Sequence, residues 1–211
     1  MNIPMIVVAV IIAYLLGSIP TAVWVGKIFH GIDVREHGSG NAGATNVIRV
    51  LGWKSGIPVM IVDIAKGWFS AYLPILFHLA EPGSALLVNI QIITGLTSIV
   101  GHVYPVLAGF KGGKGVGCTV GVLIALHPLL TLSCLVVFLS VLLISGYVSV
   151  ASMSMGIAFP ILLFTLFDSP SFYFKIFSLI MAVAIIVTHR KNIKRLLNGE
   201  ESKFIKRKKK V

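Results

Sequence analysis

The sequence predicts an all-α polytopic membrane protein, with seven transmembrane helices and its polar, site-forming loops on the cytoplasmic face. Three observations carry that prediction. The 211 residues are 56% hydrophobic and only 12% charged, with a mean hydropathy of +0.96, whereas a soluble domain carries about 25% charged residues. Apolar runs of about 20 residues, the length that crosses a bilayer, recur along the chain. Lys and Arg crowd into alternate connections between those runs, as they do in cytoplasmic loops. The chain reads as one integral-membrane domain over 1–201 with a basic tail over 202–211, and has no room for a separate soluble domain. A net charge of +11 in a soluble protein would suggest nucleic acid. Here the charge sits in loops and in the run Lys206-Arg207-Lys208-Lys209-Lys210. The expected contact is therefore anionic lipid, at about 1 kcal/mol per basic residue near the surface, and not nucleic acid.

Taken in order, the first apolar run covers about 3–29. It is too long for a signal-peptide core and lacks a basic start, so it reads as a retained helix. A polar loop follows over 30–53. The second span is 55–79, and a short loop at 80–84 carries Glu81 and Pro82. The third span is 86–102, followed by a Lys-Gly loop. The fourth is short and Gly-rich, starting near 115 and ending near His127-Pro128. The fifth covers 129–145 and the sixth 149–167, with a break at Ser145-Gly146-Tyr147 between them. Asp168-Ser169-Pro170 is a turn, and the seventh span is 172–188. Merging the fourth and fifth would give six spans and put the Lys-Gly loop and the tail on opposite sides, which the charge bias disfavours. With seven, Lys27, Arg35, Arg49, Lys54, Lys111, Lys114 and the tail share the cytoplasmic side, opposite Glu81, Asp168 and Lys175. The N-terminus is then outside and the C-terminus inside. Stretches 33–49, 110–115, 145–152 and 189–195 gather at one face. Cys118 and Cys134 lie in apolar runs and indicate no disulfide framework.

Gly38-Ser39-Gly40-Asn41-Ala42-Gly43-Ala44-Thr45-Asn46, closed by Arg49, organises the candidate site. Residues 38–43 match Gly-x-Gly-x-x-Gly, but no strand–turn–helix unit surrounds them, so the match does not indicate a dinucleotide. The physics of the turn still holds. Gly lets amides approach an anion, Ser, Thr and Asn add short donors, and Arg adds a planar fork for phosphate oxygens. The alternative is a flexible loop, for which Asn41, Thr45, Asn46 and Arg49 are more than a linker requires.

Phe110-Lys111-Gly112-Gly113-Lys114-Gly115 reads as a second phosphate cradle. It is not a P-loop, since position 108 is Ala and Gly115 follows Lys114. It leads into a helix N-terminus, where free amides and the positive dipole end favour anions. Gly113, Gly117 and Gly121 recur every four residues, which for the last two suits close helix packing. His189, Asn192 and Arg195 follow the last span at three-residue spacing and share a face if the helix continues. Arg190, Lys191 and Lys194 read as surface anchors. Ser149 and Ser152 open the sixth span, either as caps or packing groups or as site residues. Asp63 and Lys66, one turn apart in an apolar span, are expected to pair. His30, His78, His102 and His127 sit at span ends and read as interfacial. Glu200 and Glu201 are expected to face water.

In combination these stretches closely resemble the bacterial acyl-phosphate-dependent glycerol-3-phosphate acyltransferases. The residues that carry the resemblance are Asp33-Val34-Arg35-Glu36-His37-Gly38 through Arg49; Gly101-His102-x-x-Pro105-Val106 with Phe110 through Val116; Tyr147-Val148-Ser149; and His189-Arg190-Lys191-Asn192-Ile193-x-Arg195-Leu196 with Gly199-Glu200. They cover about residues 5–201. The resemblance implies an inner-membrane enzyme of seven helices, catalysing the first step of bacterial phospholipid synthesis. Such an enzyme moves a fatty acyl group from acyl phosphate to the 1-hydroxyl of glycerol 3-phosphate, giving lysophosphatidic acid and phosphate. It implies no cofactor and no metal, and the soluble enzyme that makes acyl phosphate as a partner. The resemblance further implies catalytic roles for Ser39, Arg49, Lys114, His189 and Asn192. It implies substrate contacts from Gly38, Gly40, Asn41, Thr45, Asn46, Gly112, Gly113 and one of Ser149 and Ser152. Two residues depart from the pattern: Gly146 stands where many members have Arg, and Cys118 where many have Thr.

The residues fit that chemistry independently. Two phosphate-bearing substrates need two anion subsites, one at Arg49 with the 38–46 loop, the other at Lys114 with the Gly112 and Gly113 amides. An acyl phosphate already carries a good leaving group, so positioning can lower the barrier by roughly 7–11 kcal/mol without a nucleophilic residue. The proton is taken either by His189 or by the phosphate of the acceptor. The competing class is a carrier of phosphate or a small organic anion. Carriers place their sites near the midplane between internal repeats, and no repeat is present here.

Overall fold

The computed structural model describes residues 2–169 and 171–205, and every regular element among them is helical. The single domain expected over 1–201 is built as two compact units, Met1–His127 and Pro128–Val211, dividing where a proline removes a backbone donor.

The first unit holds α1 (Ile3–Gly17), α2 (Thr21–His30), α3 (Ala44–Leu51), α4 (Trp53–Leu76), α5 (Ala85–Val103) and α6 (Val116–Leu126). The expected first span is two helices meeting at 40°. Pro20 cannot donate to the preceding turn, so α1 ends at Gly17, with Ser18 as its cap, and α2 restarts at Thr21. The carbonyl of Ile19 freed by the break accepts a hydrogen bond from Lys66 Nζ at 2.9 Å. Glycines bring neighbouring helices into backbone contact, as in membrane bundles generally. A Cβ at Gly17 would overlap the backbone of Ser98 on α5, and one at Gly121 the carbonyl of Ile64 on α4. Gly117 faces Asp63 of α4. The packing expected of Gly117 and Gly121 is therefore observed against a single partner helix.

One element is a correction. The loop expected over 30–53 contains α3, an amphipathic helix. Val47 and its flanks Ala44 and Leu51 pack with Ala22, Val23, Val34, Ala42 and Val59, while Ile48 lies on Gly56 of α4. Gly52, at φ +85°, ends α3 and starts α4.

The second unit holds α7 (Pro128–Ser145), α8 (Val148–Thr165), α9 (Phe172–Thr188) and α10 (Arg190–Leu197). Its core includes the rings of Phe159, Phe174 and Phe177, with centroids 5.8–6.3 Å apart. Gly156 seats Ile185 between α8 and α9. The last expected span does not run on through 195: α9 and α10 meet at 54°, with His189 at the joint. Leu132, Val136, Leu139 and Leu143 form an exposed stripe on α7 at helical spacing, as a lipid-facing helix presents.

Four helical segments are long and apolar enough to cross a membrane, and up to six if each bent pair counts as one span. This is a multi-pass membrane protein. α6, with 11 residues, rises only about 17 Å and is not among those spans.

Candidate active site

In the first unit the Gly-rich loop is built around Asn46, which is 1% exposed. Its Oδ1 accepts from the Ser39 N–H at 2.8 Å and the Ser39 hydroxyl at 3.0 Å. Its Nδ2 donates to the carbonyls of Val34 at 2.8 Å and His37 at 3.1 Å. An amide offers two acceptor and two donor positions, and all are used within the loop. Asn46 shapes the loop and orients the Ser39 hydroxyl. Gly38 has φ +61°, and a Cβ there would lie 2.5 Å from Asn46 Oδ1, so both its backbone angle and its neighbour call for glycine. Gly40 sits at φ +72°. Asn41 and Thr45 are half-buried and Arg49 is exposed in the last turn of α3. No side chain caps α3, and helix geometry leaves the Ala44 and Thr45 amides without an intrahelical acceptor.

The Lys-Gly loop differs from expectation. The Gly112 N–H donates to Val103 at 3.2 Å and the Gly113 N–H to His102 at 3.1 Å. These amides close the end of α5. Side chains at either glycine would overlap α5: a Cβ on Gly112 meets the His102 carbonyl, and one on Gly113 meets the imidazole. The amides suited to an anion belong instead to the first turn of α6, at Val116, Gly117 and Cys118. That helix has Gly115 at its N-cap, φ +81°, and no side-chain cap. Lys114 is half-buried immediately before it.

Arg35, given no site role from the sequence, ties the two loops together. Its Nε and one terminal nitrogen bond the two oxygens of Asp33 at 2.9 and 2.7 Å. The other terminal nitrogen donates to the carbonyls of Ala108 at 2.9 Å and Lys111 at 3.3 Å. Lys27 adds a contact to Asp33 at 3.3 Å. The Arg35 guanidinium holds the Asp33 carboxyl well below the usual carboxylate range, against the opposing effect of burial. Asp33 in turn raises the affinity of Arg35 for its proton.

Beneath these loops lies the buried pair Asp63–Lys66, joined at 2.9 Å as their spacing predicted. His102 is not interfacial: it is 7% exposed, with Nδ1 3.6 Å from Asp63 Oδ1.

The second unit centres on Glu201, which was expected to face water. Its side chain is 6% exposed. Oε1 accepts from Asn192 Nδ2 at 2.6 Å and Ser149 Oγ at 2.9 Å, and Oε2 from Arg195 Nε at 2.7 Å. Burial pushes its carboxyl up, but the bonds from Arg195, Asn192 and Ser149 outweigh this and leave it below the ordinary value. Ser149 is thereby the serine brought to Asn192, while Ser152 lies buried one turn further along α8. His189 is 2% exposed, and its Nδ1 lies 2.7 Å from the Ile185 carbonyl. A carbonyl only accepts, so Nδ1 carries the proton and Nε2 is the acceptor of the neutral ring. The sequence offered no carboxylate to fix that tautomer; a backbone oxygen fixes it.

The start of the tail, with Ser202 and Lys203 exposed, folds back on the junction of α7 and α8. The N–H groups of Phe204 and Ile205 donate to the Gly146 carbonyl at 2.8 and 3.3 Å, and Lys203 Nζ lies 5.5 Å from the Tyr147 ring centroid. Gly146 has φ +77°, and a Cβ there would stand 2.8 Å from the Ile205 carbonyl. The departure from Arg at this position thus makes room for the returning chain. Residues 206–211, with the basic run, and Pro170 of the expected turn lie outside the described residues. Among the described residues no three His, Cys, Asp or Glu side chains converge as a metal site would require.

The family model described as glycerol-3-phosphate acyltransferase matches residues 7–199. The glycerol-3-phosphate acyltransferase of Chlorobaculum tepidum is 43% identical, with 92% of this chain and 94% of the relative covered. That of Chlorobium phaeobacteroides strain BS1 is 42% identical over 94% and 96%. The crystal structure of PlsY (YgiH), an integral membrane glycerol 3-phosphate acyltransferase, in its glycerol 3-phosphate form superposes with a TM-score of 0.83. It has 38% identity, and 95% of this chain and 96% of that one are covered. The lysophosphatidic acid form gives 0.81. With its loops built as described and the likeness running nearly end to end, this chain belongs to the glycerol-3-phosphate acyltransferase family of integral membrane proteins.

Proposed function

We propose that this protein transfers a fatty acyl group from acyl phosphate to the 1-hydroxyl of glycerol 3-phosphate, releasing phosphate and lysophosphatidic acid. The observation that carries the reading is the joining of the Gly-rich loop to the Lys-Gly loop by Arg35, which bonds Asp33 in one and Ala108 and Lys111 in the other. Two uncapped helix starts and the cations Arg49 and Lys114 thereby belong to one assembly, suited to substrates that both carry phosphate.

In the reaction the acceptor hydroxyl oxygen attacks the acyl carbonyl carbon. The bond from that carbon to the phosphate oxygen breaks, and phosphate leaves. Lys114 and the first-turn amides of α6 hold the phosphate of the acceptor and meet the charge developing on oxygen, while Ser39, oriented by Asn46, and Arg49 hold the second anion. Asn41 and Thr45 line the first loop. The sequence resemblance adds Ser149, Asn192 and His189 as substrate contacts, and the hydroxyl proton passes to the acceptor's own phosphate. Purified protein in detergent with labelled glycerol 3-phosphate should form labelled lysophosphatidic acid when given acyl phosphate, and none when given acyl-CoA. The reverse donor preference would overturn the assignment.

His189 orients substrate in this scheme. Asn or Gln at 189 should raise the Michaelis constant for glycerol 3-phosphate and leave much of the turnover. A fall in turnover of about 10²–10⁴ at saturating substrate, with binding unchanged, would make His189 the base.

The same reading places the protein in the bacterial inner membrane with seven spans: bent α1–α2, then α4, α5, α6, α7, α8 and α9. The N-terminus is outside and the C-terminus cytoplasmic, following the basic bias. With Cys118 and Cys134 replaced, an impermeant thiol reagent on intact cells should label a cysteine at Glu81 or Ser169. Labelling at Gly40 or Ser202 instead would invert the topology.

A further inference from the structure

Asp63, Lys66 and His102 have no part in the scheme above, yet all three are buried in an apolar unit, where ionisable side chains are costly and need a reason. They form a connected series. Lys66 Nζ is anchored on the Ile19 carbonyl at 2.9 Å and on Asp63 Oδ1 at 2.9 Å. The same Asp63 oxygen lies 3.6 Å from His102 Nδ1, which has no hydrogen-bond partner. The opposite edge of the imidazole lies under Gly113: a Cβ built there would overlap Nε2 and stand 3.1 Å from Cδ2. The His102 carbonyl also accepts the Gly113 N–H at 3.1 Å. One ring edge thus rests on the ion pair and the other supports the residue directly before Lys114.

We propose that His102 is a positioning residue, the floor on which the Gly113-Lys114 turn rests, carrying the fixed placement of the Asp63–Lys66 pair to the Lys114 ammonium. This rests on the reading of Lys114 as a phosphate-binding residue. Glycine at 113 is then required by the ring beneath it, and the ring by the need to hold the turn at one height. An ammonium displaced by an ångström loses its alignment with a phosphate oxygen, which weakens acceptor binding before it affects the chemistry.

Two conservative substitutions separate the two ring edges. Gln reaches the Nε2 position beneath Gly113, and Asn reaches only the Nδ1 position beside Asp63. His102→Gln should keep the Michaelis constant for glycerol 3-phosphate within about threefold, while His102→Asn raises it about tenfold or more with saturated turnover little changed. Both variants should melt close to the parent protein in detergent. Equal behaviour of the two, or a loss of turnover with the Michaelis constant unchanged, overturns the proposal. If neither variant is recovered folded, Gly113→Ala carries the test, because its Cβ displaces the same ring. An unchanged Michaelis constant there overturns the proposal. Lys114→Ala, assayed in parallel, keeps the two failures apart. An active Lys114→Ala enzyme defeats the phosphate assignment itself. An inactive one beside an unaffected His102→Asn defeats only the role of His102.

Discussion

Lys114→Ala should reduce acyl transfer at least a hundredfold while the protein still extracts and melts like its parent. The residue stands directly before the uncapped start of α6, half-buried, in a loop whose glycine amides are already bonded to the end of α5. With those amides occupied, we assign phosphate at that point to the Lys114 ammonium and the first-turn amides of α6. Removing one donor preorganised for developing charge costs about 2.7–4 kcal/mol, or 10²–10³ in rate. A variant that keeps more than about a tenth of the parent rate has lost under roughly 1.4 kcal/mol, and the phosphate assignment would be wrong.

Glu201→Gln should damage both stability and activity, because one carboxylate receives Ser149, Asn192 and Arg195 together. Hydrogen bonds to a charged group are worth about 1.5–3 kcal/mol each. Arg195 keeps 29% exposure, so water compensates part of its loss. We expect a loss of about 2–3 kcal/mol and turnover reduced at least tenfold, since Ser149 and Asn192 lose the group that aligns them. The pH dependence follows from the sign of the shift. The folded-state value lies below the ordinary 4.5, so the stabilisation is present above 4.5 and disappears as pH falls through the lower folded value. The melting difference between parent and variant should therefore be full at pH 7 and shrink below 4.5. Equal melting at pH 7 would remove Glu201 from its central place.

The helical architecture was legible because bilayer length and apolar composition leave few alternatives. The pairing of Asp63 with Lys66 was legible from one helical turn of spacing. α3 was readable in principle: Ala44, Val47, Ile48 and Leu51 repeat with helical period, but the Gly, Asn and Thr before them favoured a loop. The glycines of the Lys-Gly loop illustrate a real ambiguity. Gly marks either an amide offered to a ligand or a place where two backbones touch, and at 112 and 113 it was the second. Glu201 was hidden for another reason. It lies 52 residues from Ser149 and beside a basic tail, where a carboxylate usually faces water. His102 was assigned to the interface by its place at the end of a span, whereas its neighbours in space are buried.

The loop held by Asn46 and Arg35 has a calorimetric consequence. Glycerol 3-phosphate has about ten non-hydrogen atoms, and even the best small ligands gain at most about 1.5 kcal/mol per atom. Ordering one residue of backbone costs about 1–2 kcal/mol, so a substrate this small could not organise the nine-residue stretch 38–46 and still bind well. Here that ordering is part of folding: four bonds to one amide and four from one guanidinium fix the segment beforehand. Titration of the substrate into the protein should then give a small change in heat capacity, that of a ligand entering a formed site, without the large negative value that accompanies folding on binding.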